Sequence, residues 1–299
     1  MTTRRQAGVA LISALLVVAL ATTAAVALTY ELQINMRRSA NMITRDQAWQ
    51  YLLGGEEFVK SLIKLAIDND KLDELFKEEK VLPVEGGMIT GKLTDLQARL
   101  NINGLVTDKG AVDEITLGRL QNLMEQLEID PTRLDAIIDW MDANNDISTI
   151  YGANGAEDNY YFGLENPYRA ANRPFDSPSE ISLIREMTEE ESEKLLQEIS
   201  VLPKNTPINI NTASAAVLQA IGVEDPKAVE ENRPFKKIEE FKALKLLKDE
   251  QMKNLDIKTE YFLLKGSAKI GRARLTGYSI IHRDTKGIMR IVSRSLGTL

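Results

Sequence analysis

The sequence predicts an α+β fold: a long N-terminal helix, half of it in a membrane, packed on an antiparallel sheet that a large all-α insertion interrupts. Three observations predict it. The first is a helix-compatible start, with no glycine between Gly8 and Gly54 and no proline before Pro83. The second is strand-like patterning near residue 90 and again after residue 258. The third is the roughly 150 residues between those runs, which are too many for a loop and carry helix caps of their own.

Residues 9–28, VALISALLVVALATTAAVAL, hold no charge, glycine or proline. As a helix they reach about 30 Å, the thickness of a bilayer core. Arg4 and Arg5 precede them, which by the positive-inside rule keeps that end in the cytoplasm. The small residues Ala25-Val26-Ala27 also fit a cleaved secretory signal, and an uncleaved anchor fits the same span. The residues beyond the span favour a third reading. Met42, Trp49, Leu52, Val59, Leu62, Ile63 and Ala66 recur mostly at three, four or seven, so one helix continues from the membrane to about Leu65 and lays its apolar stripe on a globular domain.

This arrangement resembles type IV pilins and pseudopilins. The resemblance implies a basic leader, Met1 to Gly8, removed by the prepilin peptidase between Gly8 and Val9. Most pilins carry Glu as the fifth mature residue, where it pairs with a neighbour's terminal amine. Here the fifth is Ser13, which removes a costly carboxylate from lipid and also the usual contact for joining a filament.

The segment 67–103 reads as the first part of the sheet domain. Gly86-Gly87 marks a turn, Met88 to Leu93 a strand, and Leu96, Ala98, Leu100 and Ile102 one face of a further alternating run. Residues 104–257 read as the all-α insertion. Asp130-Pro131 is an N-cap signal ahead of an apolar face of Leu134, Ile137, Ile138 and Met141. Ser177 and Thr188 open capping boxes. From Asn103 to Ser200 about 21 acids face about 7 bases. The tail, 258–299, reads as strands 261–269, 274–281 and 287–292, with a turn at Asp284–Gly287. It has roughly 9 bases and 2 acids.

Composition removes most catalytic chemistry. The 299 residues contain no cysteine and one histidine, and the net charge is −7. Thiolate, disulfide and multi-histidine metal sites are excluded, and a uniformly basic nucleic-acid binder is disfavoured. His282, at a strand end, has no partners that the sequence can place, and reads as a surface histidine in a hairpin. Glu189 to Glu193 read as an exposed helix start, where negative charge is favourable.

The densest chemistry lies between Asp135 and Asp158. Asp135, Asp139 and Asp142 fall at i, i+4 and i+7 on one helix face. Asn144, Asp146, Glu157 and Asp158 come next, an all-oxygen set that suits Ca²⁺ before Mg²⁺. Asp142-x-Asn144-x-Asp146 begins like an EF-hand loop, but Ile147 stands where glycine is needed and Ala153 where the bidentate Glu belongs. By spacing alone, an irregular calcium loop and a solvated acidic loop stand equal.

Asp139-Trp140-Met141-Asp142, Gly155 to Tyr161, Asn166 to Pro174 and Ser179-Glu180-Ile181 resemble the type II secretion minor pseudopilin family known as general secretion pathway protein K, GspK. With the leader, helix and strand-rich tail, the likeness covers nearly the whole chain. The absent Glu at mature position five is a feature of that family. The resemblance implies a non-enzymatic protein in the bacterial inner membrane, N-terminus cytoplasmic and bulk periplasmic. It implies a place at the pseudopilus tip with the minor pseudopilins GspI and GspJ, a part in starting assembly on the inner-membrane secretion platform, and structural calcium in the helical insertion. The expected ligands are Asp139, Asp142, Asn144, Asp146, Glu157 and Asp158, with Asn172 and Asp176 in reserve.

A rival reading comes from residues 205–255. Ile208 to Ser214 and Val217 to Gly222 resemble the helix–hairpin–helix of DNA-binding proteins, so a membrane-anchored DNA-binding protein of an uptake or type IV pilus system is the alternative. Its hairpin, Ile221 to Pro226, has one glycine, two acids and a proline without an amide hydrogen, a poor match to phosphate.

Overall fold

A computed structural model describes residues 3–69 and 71–297, with side chains from Val9 onward. Of the expected leader, Met1 and Thr2 lie outside the described residues, as do Thr298 and Leu299 of the C-terminal β part. One helix, α1 (Thr3–Asp68), takes up 66 residues, about 100 Å at 1.5 Å per residue. It is long and apolar enough to cross a membrane, and none of its most apolar stretch is buried by the protein.

Only the C-terminal third of α1 meets the domain. Ala48, Leu52, Glu56, Ile63 and Ala66 are buried, a stripe at helical spacing. Met42, expected on that stripe, is 66% exposed, because the helix reaches the sheet only from Ala48 on. A short helix α2 (Leu72–Lys77) comes next, then strands β1 (Lys80–Val84) and β2 (Gly87–Asp95).

Chain order then breaks. The next strands of the sheet are β7 (Tyr261–Ile270), β8 (Ala273–Arg283) and β9 (Met289–Leu296), and the order across the sheet is β1-β2-β7-β8-β9, antiparallel throughout. Helix α1 lies over β7 and β8. Gly266 and Gly277 are paired across those strands, and a methyl group on Gly266 would come 3.0 Å from Leu52 Cδ2. The missing side chain lets the helix settle close to the backbone.

Glu56 sits in this interface, 4% exposed. It accepts a hydrogen bond from Ser279 Oγ at 2.5 Å and from Arg294 Nε at 2.8 Å, and pairs with Arg294 Nη2 at 2.7 Å. Burial alone would raise its carboxyl, but the bonds from Arg294 and Ser279 outweigh that and hold it below the ordinary value. The buried helix is thus tied to the outer strand β9 by a fork-shaped ion pair.

The insertion leaves the sheet at Asp95 and returns at Tyr261. Its helices are α3 (Glu114–Gln126), α4 (Arg133–Met141), α5 (Asp158–Tyr161), α6 (Glu189–Glu198), α7 (Ala215–Ala220), α8 (Pro226–Glu230) and α9 (Ile238–Ala243). Two pairs of two-residue strands run parallel within it: β3 (Leu100–Asn101) with β4 (Ile199–Ser200), and β5 (Ile208–Asn209) with β6 (Leu255–Asp256). One core from Leu100 to Phe241 serves the whole insertion.

The alternating run 96–102 is not a strand of the main sheet. Leu96–Ala98 and Ile102–Gly104 are single 3₁₀ turns around the short β3. Asp95 and Asn101 cause the breaks, each accepting a bond from the amide two residues on, Gln97 at 2.8 Å and Asn103 at 3.2 Å. Such local bonds compete with a ladder. Helix α4 starts three residues later than its cap signal: Asp130 bonds the Thr132 amide at 2.9 Å and closes a turn ahead of the helix. Both capping boxes are present, at Ser177 and Thr188.

Arg294→Ala would leave Glu56 half-paired and buried. We expect a loss of about 2 kcal/mol, read as a lower melting temperature of the full chain in detergent. Because the folded pKa of Glu56 lies below the unfolded one, this contribution is present above the unfolded value and fades as pH falls through the folded value. The gap between wild type and variant should narrow in acid; a constant gap from pH 7 to pH 3 would contradict the assignment.

Candidate functional site

Helix α4 is buried almost all round: Leu134 to Met141 are every one of them at most 3% exposed. Its acidic face is therefore as dry as its apolar one. The two carboxylates on that face have different work. Asp135 accepts bonds from Ser148 Oγ (2.8 Å) and from the amides of Ile150 (2.9 Å), Tyr151 (3.1 Å) and Asn154 (3.3 Å). It shapes the loop 148–154, and sequence spacing pointed to its face but not to this role.

Asp139 is only part-satisfied. Its Oδ1 accepts from the Ser148 amide at 2.9 Å, while Oδ2 is buried without a hydrogen-bond partner. That oxygen lies where a side chain on Gly155 would be, 2.2 Å from an ideal Cβ, so glycine keeps the space open. Glu157 is 4% exposed with neither oxygen bonded. Burial, then the charges of Asp142 and Asp135, push Asp139 up to about 6. Burial, then Asp139, Asp142, Asp158 and Asp146, push Glu157 up to about 7. Asp142, 7% exposed, is raised by burial and then by Asp146.

The remaining expected ligands sit around this pair. Asn144 and Asp146 are exposed on the loop, with the Asn144 amide bonded to Asp142 Oδ1 at 3.2 Å and the Asp146 amide to Asn144 Oδ1 at 2.6 Å. Asp158 is half-buried and accepts from the Ala170 amide at 3.0 Å. Asn172 is folded back against the loop, its Nδ2 on Asn145 Oδ1 at 3.4 Å and its own Oδ1 buried and unbonded. Asp176 is elsewhere: it pairs with Arg173 at 2.8 Å and is 80% exposed at its side chain. No three carboxylates among the described residues close on one point as finished metal ligands do. The acidic cradle nonetheless holds several buried oxygens with unused lone pairs, on Asp139, Glu157 and Asn172, the donor type that a hard cation would accept.

A rigid wall backs the cradle. Trp140 packs edge to face against Tyr161 and Tyr168, which are tilted on each other, with centroids 5.1 to 6.2 Å apart, and Arg185 Nη1 bonds the Gly155 carbonyl at 3.1 Å. His282 packs flat on Tyr261 at 4.5 Å, far from this chemistry in the chain and on another layer.

The hairpin of the rival reading offers phosphate little. The Gly222 amide is bonded to Gln219 O at 2.9 Å and the Val223 amide to Leu218 O at 3.0 Å. A Cβ on Gly222 would meet Gln251 Nε2 at 2.2 Å, so the C-terminal part of the insertion covers the turn.

At the N-terminal end α1 runs unbroken through Gly8 and Val9. Ser13 Oγ bonds back to the Val9 carbonyl at 2.9 Å, which satisfies the hydroxyl within the helix.

Residues 98–204, about the first two-thirds of the insertion, match the family model described as type II secretion system protein K. The type II secretion system protein K of Pseudomonas aeruginosa is 33% identical over 98% of this chain and 94% of its own length. The chain belongs to the type II secretion system protein K family. That of Aeromonas hydrophila is 30% identical over 96% of both chains. Among solved structures, the GspK-GspI-GspJ complex from enterotoxigenic Escherichia coli contains a chain with the same fold, with a TM-score of 0.78 at 24% identity, covering 88% of this chain and 100% of that one. The family is one of minor pseudopilins, structural components of secretion.

The repulsion in the cradle makes a pH prediction. Asp139 and Glu157 have folded pKa values above their unfolded ones, so the folded state holds extra protons between about pH 4 and pH 7 and loses stability as pH rises through that window. Metal-stripped protein in chelator should melt higher at pH 5 than at pH 8, and Glu157→Gln should flatten the difference. An unchanged pH slope in the variant would remove Glu157 from the cradle.

Proposed function

We propose that the chain is a non-enzymatic minor pseudopilin that sits at the tip of the secretion pseudopilus and helps start its assembly. Its partners there are pseudopilins of the GspI and GspJ kinds, and its assembly proceeds on the inner-membrane platform. The observation that carries this reading is α1: one helix whose residues 9–28 are apolar and uncovered and whose last third is fixed on the sheet. Such a helix positions a folded domain at a set height from a bilayer and offers its free sides to like helices. Ser13, neutral and self-bonded, gives no carboxylate for an incoming neighbour's amine, which suits a subunit placed once at an end. The bulk of the insertion agrees with that position.

In this reading the chain lies in the bacterial inner membrane, N-terminus cytoplasmic and bulk periplasmic, after the prepilin peptidase has cut between Gly8 and Val9. Mass spectrometry of the membrane-purified protein should then give a mature chain beginning at Val9. A start at Leu28 would identify an ordinary secretory signal and overturn the proposal.

The same reading places structural calcium in the cradle. Asp139, Asp142 and Glu157 would hold it from the buried side, with Asn144, Asp146 and Asp158 drawn in from the loop. The orphaned oxygens of Asp139 and Glu157 support it. A cation bound only by the folded form stabilises by mass action. Calcium at a hundredfold excess over its Kd should raise the melting temperature of metal-stripped protein by on the order of 5 °C, and magnesium by less. Asp142→Ala or Asp158→Ala should remove most of the rise. Superimposable curves with calcium and with chelator would leave a solvated acidic loop.

A further inference from the structure

The fold sorts charge along α1. The helix meets the sheet first at Ala48 and Leu52, which cluster with Ala268 and Ile270. Further on, Ile63 clusters with Leu93 and Phe262, where the insertion leaves and returns. The acidic insertion therefore stands at the end of the sheet away from residues 9–28, and the β7–β8 hairpin at the end that faces them. That near end is basic. Lys269 and Arg274 are direct cross-strand partners with Arg272 in the turn between them, and all three are exposed. Like charges placed opposite each other weaken a hairpin, and none of the three makes an ion pair among the described residues. Glu85, in the turn that abuts this one through a bond from the Gly271 amide to the Gly86 carbonyl at 3.0 Å, offsets one charge of the three.

The bare part of α1 carries the same sign on the same side. Arg45 and Arg38 precede Leu52 by two and four turns, so they lie on the helix face that carries the domain, between it and the apolar span. Both are exposed. The acids of the stretch 29–47 are Glu31 and Asp46, against Arg37, Arg38 and Arg45.

From Leu28 to Ala48 the helix rises about 30 Å. Upright, it holds the hairpin well beyond the Debye length of about 8 Å at physiological salt, where its cations would feel no bilayer charge. A tilt of about 40°, within the range of membrane helices, cuts the rise to about 23 Å. The sheet, about 10 Å off the helix axis, drops by a further ~6 Å on its own side. The headgroup layer, about 6 Å deep, the turn beyond Ile270 and the reach of an arginine side chain close the rest. The same lean lays the Arg38 and Arg45 face on the lipid. We propose that the single chain in its membrane leans toward its domain side and docks this basic end on the anionic headgroups of the leaflet it emerges from. Repulsion of the acidic insertion by the same surface sets the direction of the lean. The proposal rests on residues 9–28 spanning a bilayer and is independent of a place in the pseudopilus.

The chain has no cysteine, so Met88→Cys, opposite Lys269 and exposed, gives one dye position beside the hairpin. The full chain is reconstituted in nanodiscs of equal parts phosphatidylglycerol and phosphatidylcholine, or of phosphatidylcholine alone, each with the same density of headgroup acceptor dye. Co-elution with the discs is read first: a chain that does not incorporate overturns the span, and the docking with it. In the anionic discs energy transfer should place the dye on the order of 10 Å nearer the headgroups, and the difference should vanish at about 0.5 M salt. Lys269→Gln with Arg272→Gln and Arg274→Gln should abolish it, with the melting temperature kept or raised. Lys227→Gln with Lys237→Gln and Lys242→Gln, exposed on the insertion, should preserve it. Equal distances in both discs, a difference that survives high salt, or equal loss in the two triple variants would overturn the docking and leave the span intact.

Discussion

A bilayer core offers no water to an unpaired amide or carbonyl, so a single crossing segment has to satisfy its backbone from within as a helix. Here the same helix must then bury one face against a sheet. The sequence meets both demands by changing only side chains along an unbroken backbone ladder. From Val9 to Leu28 the helix is apolar on every side; from Ala48 to Ala66 it is apolar on one stripe. Everything else is placed relative to that rod. The glycine pair at 266 and 277 admits Leu52, and the Glu56–Arg294 fork fixes rotation and height by tying the helix to the far strand. An apolar stripe alone tolerates sliding by a turn; a buried charge with one fitting partner does not.

The elements that were legible in the sequence are those where one signal ran without competition. Helix α1 had no proline, and no glycine between Gly8 and Gly54, to interrupt it; β7 to β9 read as strands with a turn signal ahead of β9; and the two capping boxes marked their helices to the residue. The run 96–102 was misleading because alternation is also what results when a chain winds through short turns inside a core. Leu96, Gln97, Leu100, Asn101, Ile102 and Asn103 are all buried, on both faces, and the Asp and Asn side chains that break the strand looked like polar outward positions. The Glu56–Arg294 pair joins residues 238 apart in the chain. The visible signal was a glutamate on the stripe between Leu52 and Ile63, where an apolar residue was due.

That the acids around Glu157 are neighbours was legible in the sequence; their division of labour was not. Spacing put Asp135, Asp139 and Asp142 on one face, and the expected ligand set took in Asp139 and Asp142 while giving Asp135 no role. The structure separates them by counting bonds. Asp135 is filled by loop amides and a hydroxyl, while Asp139 and Glu157 keep open oxygens. Which carboxylate organises the loop and which faces its centre depends on where the loop backbone turns, and that is set by Gly155 and by tertiary packing on the tyrosines, not by helical spacing.

The size of the insertion becomes acceptable once its two ends are compared. Asp95 and Phe262 are partners in the β2–β7 ladder, so the chain leaves and re-enters the sheet at neighbouring points. A unit inserted between adjacent points adds no strain to the sheet and can grow without moving its host. It still has to be held at a fixed angle, or a domain of this size would swing. Asp95 does this from the last position of β2, gathering Asn209 and Thr212 from the middle of the insertion and Thr259 from its end. Burial pushes this carboxyl up, against the pull of those donors, which is the cost of placing a charge at the joint. What that cost secures is geometry: distant parts of the chain meet on two oxygens at the point where the insertion leaves the sheet.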